Sequence, residues 1–121
     1  MKTQWITYKG KRILLADYSN FGLDTEGVKA EMQTAISLVS REPLDSVLTL
    51  TDVRGTKGSP EMFNAMKETA AKIAPWARRR AVVSVVGVQR TFLELVNKLS
   101  GKKSFTMFDD PEKAKEWLIA G

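Results

Sequence analysis

The sequence contains no cysteine. That excludes a disulfide framework and thiolate metal sites. It contains no histidine either, which removes the commonest general base, the commonest metal ligand and the usual proton switch near neutral pH. Catalysis would have to rest on Asp, Glu, Lys or Ser, and no nucleophile motif is present, so the chain reads as non-enzymatic, with no metal and no cofactor expected. Long hydrophobic runs are missing as well. The longest, Ala81 to Val88, is interrupted by Ser84 and Gly87 and falls far short of the roughly 20 apolar residues of a membrane span. Met1-Lys2-Thr3-Gln4-Trp5 lacks the apolar stretch of a signal peptide. These absences lead us to expect a cytoplasmic protein.

What is present is enough for one domain with a hydrophobic core, here 121 residues of which 43% are hydrophobic. The net charge of +5 is uneven. Residues 1–60 carry 8 basic and 7 acidic side chains, and residues 61–121 carry 11 and 7. Most of the excess lies between Arg78 and Lys103, in a pattern that a solvated surface accounts for. Nucleic acid is not the expected partner, because the few aromatic residues sit mostly at core positions.

Hydrophobic periodicity gives the element order. Residues 5–9 alternate, Lys9-Gly10 marks a turn, and Arg12 to Asp17 reads as a second, more buried strand. Asp24 suits a helix cap, and Val28, Met32, Ala35, Ile36 and Val39 form one apolar stripe. Ser46 to Asp52 is a third strand. Ser59-Pro60-Glu61 is a helix start, with hydroxyl cap, proline at the first position and glutamate at the positive end of the dipole. Met62, Phe63, Met66, Ala70 and Ile73 line that helix, and Pro75 ends it. Ala81 to Val86 reads as a central strand covered on both faces, with Arg78-Arg79-Arg80 flanking it outside the core. Gly87 to Gly101 reads as a third helix, with Phe92, Leu95, Val96 and Leu99 inward. Ser104 to Phe108 is a last short strand, and Asp110-Pro111-Glu112 starts a fourth helix carrying Ala114, Trp117 and Leu118. The order β-β-α-β-α-β-α-β-α predicts an α/β fold with a five-stranded, mostly parallel sheet, an antiparallel first edge strand and four helices.

Two groups of residues attract attention. The loop Gly55-Thr56-Lys57-Gly58-Ser59 joins a strand to a helix N-terminus, where backbone N–H groups and Lys57 are placed to hold an anion. It is not a P-loop, since the required spacing is absent, and the plainer reading is a tight loop with Ser59 as an N-cap. Asp17 and Asp52, with Arg54 beside the latter, each end a predicted parallel strand. Neighbouring strands would bring both carboxylates to the carboxyl edge of the sheet, where α/β proteins bind ligands. There they would form an acid–base or metal pair, or each would cap its own loop.

Four stretches, Ile13 to Ser19, Ser46 to Gly55, Ala81 to Gly87 and Phe108 to Leu118, give the chain a pattern that resembles the STAS domain, the SpoIIAA-like fold of bacterial anti-sigma-factor antagonists and of small stand-alone STAS/CRAL-TRIO-like proteins. The resemblance spans nearly the whole chain and implies a regulatory or protein-binding module with a protein partner, and with a homodimer as one arrangement. Its lipid-transfer relatives imply, as the alternative, an apolar pocket for a small molecule or lipid, here assigned to the apolar residues Phe92 to Leu99. In the antagonist branch a serine in the loop before the second helix is phosphorylated, and Ser59 falls at or beside that position. The acidic residue and second serine of the family loop are missing here, and Pro60 follows the serine.

Overall fold

The computed structural model of the chain describes residues 2–83 and 105–121. β1 (Gln4–Tyr8) and β2 (Lys11–Asp17) form an antiparallel hairpin. Its two-residue loop needs positive φ at both positions, and Lys9 and Gly10 supply φ of 49° and 83°. This is the tight turn whose twist matches that of paired strands. α1 (Thr25–Val39) then leads to β3 (Val47–Asp52), and α2 (Pro60–Ile73) leads to β4 (Ala77–Val83). β5 (Thr106–Phe108) and α3 (Pro111–Ile119) follow. The five strands make one sheet in the order β1-β2-β3-β4-β5, and every pair after the first is parallel. The expected α/β architecture and antiparallel edge strand are therefore present. The described residues hold three helices rather than four; the helix expected over residues 87–101 and the apolar residues Phe92 to Leu99 lie outside them.

Alternation along each strand divides the core in two. Leu14, Ala16, Val47 and Val82 face one side, where α1 contributes Val28, Met32, Ala35 and Val39, and α2 contributes Met62 and Ile73. Ile13, Leu50, Ala81 and Val83 face the other, where α3 docks through Ala114 and Leu118. Burial on both faces is why the centre of β2, Ile13 to Ala16, and the end of β4, Ala81 to Val83, read as continuous apolar runs. Each fully buried Leu or Val contributes about 2 kcal/mol. The helix starts follow their local chemistry: the Asp24 side chain accepts from Gly27 N, Ser59 from Met62 N and Asp110 from Glu112 N.

The arginine run departs from expectation. β4 begins at Ala77, so Arg78, Arg79 and Arg80 lie inside the strand instead of before it. Their side chains alternate. Arg78 is exposed, Arg79 stacks its guanidinium 3.9 Å from the Trp117 ring on the α3 side, and Arg80 points to the α1–α2 side with only 2% of its surface exposed. The long aliphatic stem makes this tolerable. The Arg80 head donates to Ala70 O at 2.5 Å and lies 4.8 Å from the Phe105 ring. Burial lowers its pKa to about 10. No helix among the described residues is long and apolar enough to cross a membrane.

Candidate functional site

The carboxyl ends of β2 and β3 are register partners, with Asp17 opposite Asp52. The strands do bring the two residues side by side, but each carboxylate is engaged by its own loop. Asp17 Oδ1 accepts from Ser19 N at 3.1 Å and from Ser19 Oγ at 2.5 Å, and Lys2 Nζ lies 3.4 Å away. Asp52 Oδ1 accepts from Arg54 N at 3.0 Å and Arg54 Nε at 3.1 Å, while Oδ2 accepts from the Arg54 terminal nitrogen at 2.9 Å. Both are the side-chain-to-backbone turn that Asp favours. Donation of these bonds to Asp52 raises the pKa of Arg54. Among the described residues no group of three or more Asp or Glu side chains is placed to hold a metal ion.

The two loops beyond these residues continue the sheet as a ladder. Tyr18 N donates to Asp52 O (2.9 Å), Asn20 N to Arg54 O (2.8 Å), Gly22 N to Gly55 O (3.1 Å), and Lys57 N back to Gly22 O (2.8 Å). Thr56 fastens the seam from within. Its hydroxyl donates to Tyr18 O at 2.5 Å and accepts from Phe21 N at 3.0 Å. Gly55 is required at its place, since φ is +76° and a Cβ would run into the Asn20 side chain. Gly58 lies flat against Phe63, whose ring a Cβ would strike.

This changes what the loop offers an anion. Thr56 N donates to Val53 O and Lys57 N to Gly22 O, and Met62 N goes to the Ser59 hydroxyl at 3.1 Å. These three donors thus serve the loop itself, the neighbouring loop and the cap. Ser59 is half-buried, with φ −148° and ψ 163°, and acts as the N-cap of α2. Arg54, Gly55, Lys57 and Gly58 face solvent.

Sequence reasoning took Asp17 and Asp52, with Arg54, as a pair on neighbouring strands and Gly55, Lys57, Gly58 and Ser59 as a separate loop; the structure has β2 and β3 adjacent, with that loop following β3. That reasoning missed the partner loop. Leu23, next to Gly22 and therefore beside the 55–57 segment, is 78% exposed, and its place outside the α1 stripe was the available signal. Arg80 was missed too, although strand alternation from Val82 would have turned it inward. Compared with family models, curated proteins and solved structures, the chain matches none.

Proposed function

We propose that this chain is a non-catalytic, STAS-type regulatory or protein-binding module that docks a partner on the fused loops at the carboxyl edge of its sheet. The observation that carries the reading is the surface itself. Two loops laced by four backbone hydrogen bonds hold a large exposed apolar side chain, Leu23, next to Gly22, whose carbonyl binds the backbone of the outward cation Lys57. A rigid apolar anchor beside a charged rim is what a protein interface uses, and the Lys57 cation selects an acidic partner. Engagement of Asp17 and Asp52 in turns favours this reading over a carboxylate-based enzyme.

The test is a photo-crosslinking amino acid at position 23, introduced in the cell that makes the protein. One discrete adduct is expected, reduced roughly tenfold by Lys57→Glu through like-charge repulsion. A smear of unrelated adducts, or a discrete adduct indifferent to Lys57→Glu, would overturn the proposal.

A further inference from the structure

At the amino ends of β3 and β4, the far end of the parallel strands from the fused loops, the chain leaves an open groove of about 520 Å³. Small-molecule sites occupy about 300–1,000 Å³. The apolar lining is Trp5 from β1, Pro43 from the loop after α1, and Val47 and Leu48 from the start of β3. The charged lining is lopsided. Lys11, Arg12 and Arg78 supply three cations, and Glu42 is the one acidic side chain. Glu42 is already engaged, since its Oε1 accepts from a terminal nitrogen of Arg12 at 3.0 Å.

Arg78 is the decisive member. Ala77 pairs with Val47 and Arg79 pairs with Leu48, so Arg78 is the extra residue of a β-bulge between β3 and β4. A bulge takes its extra residue out of the ladder and re-aims the side chain. Here that side chain lines the groove and is exposed, and its guanidinium makes no hydrogen bond or ion pair among the described residues. The neighbouring cations are held in place. The Arg12 guanidinium lies 4.1 Å from the centre of the Trp5 ring, and Lys11 Nζ donates to Ile119 O at 3.2 Å. The groove therefore offers one free planar fork of N–H donors beside an apolar wall.

We propose that this groove binds a small organic carboxylate with a flat apolar body. The two carboxylate oxygens match the Arg78 fork with a pair of parallel hydrogen bonds. The apolar body covers Pro43, Val47 and Leu48 and excludes water from them. Lys11 and Arg12 add attraction through their field without a direct contact. The same surroundings limit the charge of the guest. Glu42 lines the groove, and α1 ends shortly before it, at Val39. The carboxyl end of a helix is the negative end of its dipole. A single negative charge is thus favoured over the dianion of a phosphate ester. The site lies away from the fused loops, so it stands or falls separately from the partner surface proposed there.

The probe is 2-naphthoate, titrated into the full chain and followed by backbone amide shifts in nuclear magnetic resonance. The comparison ligands are 2-naphthylmethanol, which keeps the body and loses the charge, acetate, which keeps the head and loses the body, and 2-naphthyl phosphate, which carries the dianion. Saturable shifts with naphthoate are expected at residues 5, 47, 48 and 78. The alcohol and acetate should each need a roughly tenfold higher concentration for half the effect, and the phosphate should bind no tighter than naphthoate. Arg78→Met keeps the length of the exposed side chain and removes the fork, and should weaken naphthoate binding roughly tenfold. Lys67→Met removes an exposed cation from α2 and should leave that binding unchanged. Shifts that fail to saturate, equal binding of the alcohol, tighter binding of the phosphate, or equal effects of the Arg78 and Lys67 variants would overturn the proposal.

Discussion

Glu31 offers a sharp test of how the edge strand is held. It lies in α1 with 3% of its surface exposed, yet it forms no ion pair with a side chain of the described residues. Its carboxylate instead accepts two backbone N–H groups from the start of the chain, Thr3 N at 2.8 Å and Lys2 N at 3.3 Å. Thr3 is itself buried, and its hydroxyl accepts from Asp17 N at 3.2 Å. Glu31→Ala would leave the Thr3 N–H buried without a partner, which costs about 1–3 kcal/mol, and would strip side-chain methylene packing worth about 1 kcal/mol. Glu31→Gln keeps an acceptor oxygen and the volume but loses the charge. That replaces a charge-assisted bond by a neutral one and should cost about 1 kcal/mol. The expected order is thus wild type, then Gln, then Ala, with about 3 kcal/mol between the extremes. Urea unfolding reads this directly, and in a chain of this length the larger loss corresponds to a Tm drop of about 10 °C. Amide hydrogen exchange should localise the damage to Thr3 and Asp17. An alanine variant within about 0.5 kcal/mol of wild type, or a glutamine variant as unstable as the alanine one, would refute the reasoning.

Two further outcomes follow from local geometry. Gly10 and Gly55 both have positive φ, 83° and 76°, but nothing lies within 4 Å of a Cβ at Gly10, whereas one at Gly55 meets Asn20. Gly10→Ala should therefore cost only the left-handed strain, about 1 kcal/mol, and Gly55→Ala clearly more by chemical denaturation, equal costs being the adverse result. Glu116 accepts from Lys9 Nζ and from Tyr8 OH, the latter at 2.7 Å, and its pKa is lowered by these bonds, that to Lys9 first. A carboxyl depressed in the folded state stabilises above its unfolded pKa and loses that contribution as pH falls through the folded value. A carbon-detected titration should place its midpoint below the ordinary glutamate range, and Lys9→Met should move it upward; an ordinary midpoint unchanged by Lys9→Met would remove the link between α3 and the hairpin.

Much of this architecture was legible because its signals are local. Cap residues three positions ahead of the amide they accept, at Asp24 and Ser59, need no tertiary information, and neither does a run such as Arg12 to Asp17 whose apolar centre demands two covered faces. Two things were not legible, for different reasons. The start of β4 was misread because three successive arginines weigh toward solvent in any composition argument. Alternation within a strand and a long aliphatic stem outweigh that tendency, and one of them is buried. The union of the 18–22 and 52–57 loops rests on hydrogen bonds between segments more than thirty residues apart. Nothing local in Tyr18 to Gly22 announces that its donors will find carbonyls in the other loop. The candidate residues were found, but the surface they belong to was not.

The order in which the strands lie in the sheet also bears on how the chain is made. Each strand pairs with the one that precedes it in sequence, from β1 through β5. A polypeptide emerging from the ribosome amino end first can therefore lay every new strand against an edge that already exists, with no need to hold a gap open for a later segment. Such pairings keep sequence separations short and loop-closure costs small. Within this sheet the hairpin, with its two-residue turn, is synthesised before the other strands, and it is the template on which the parallel part grows.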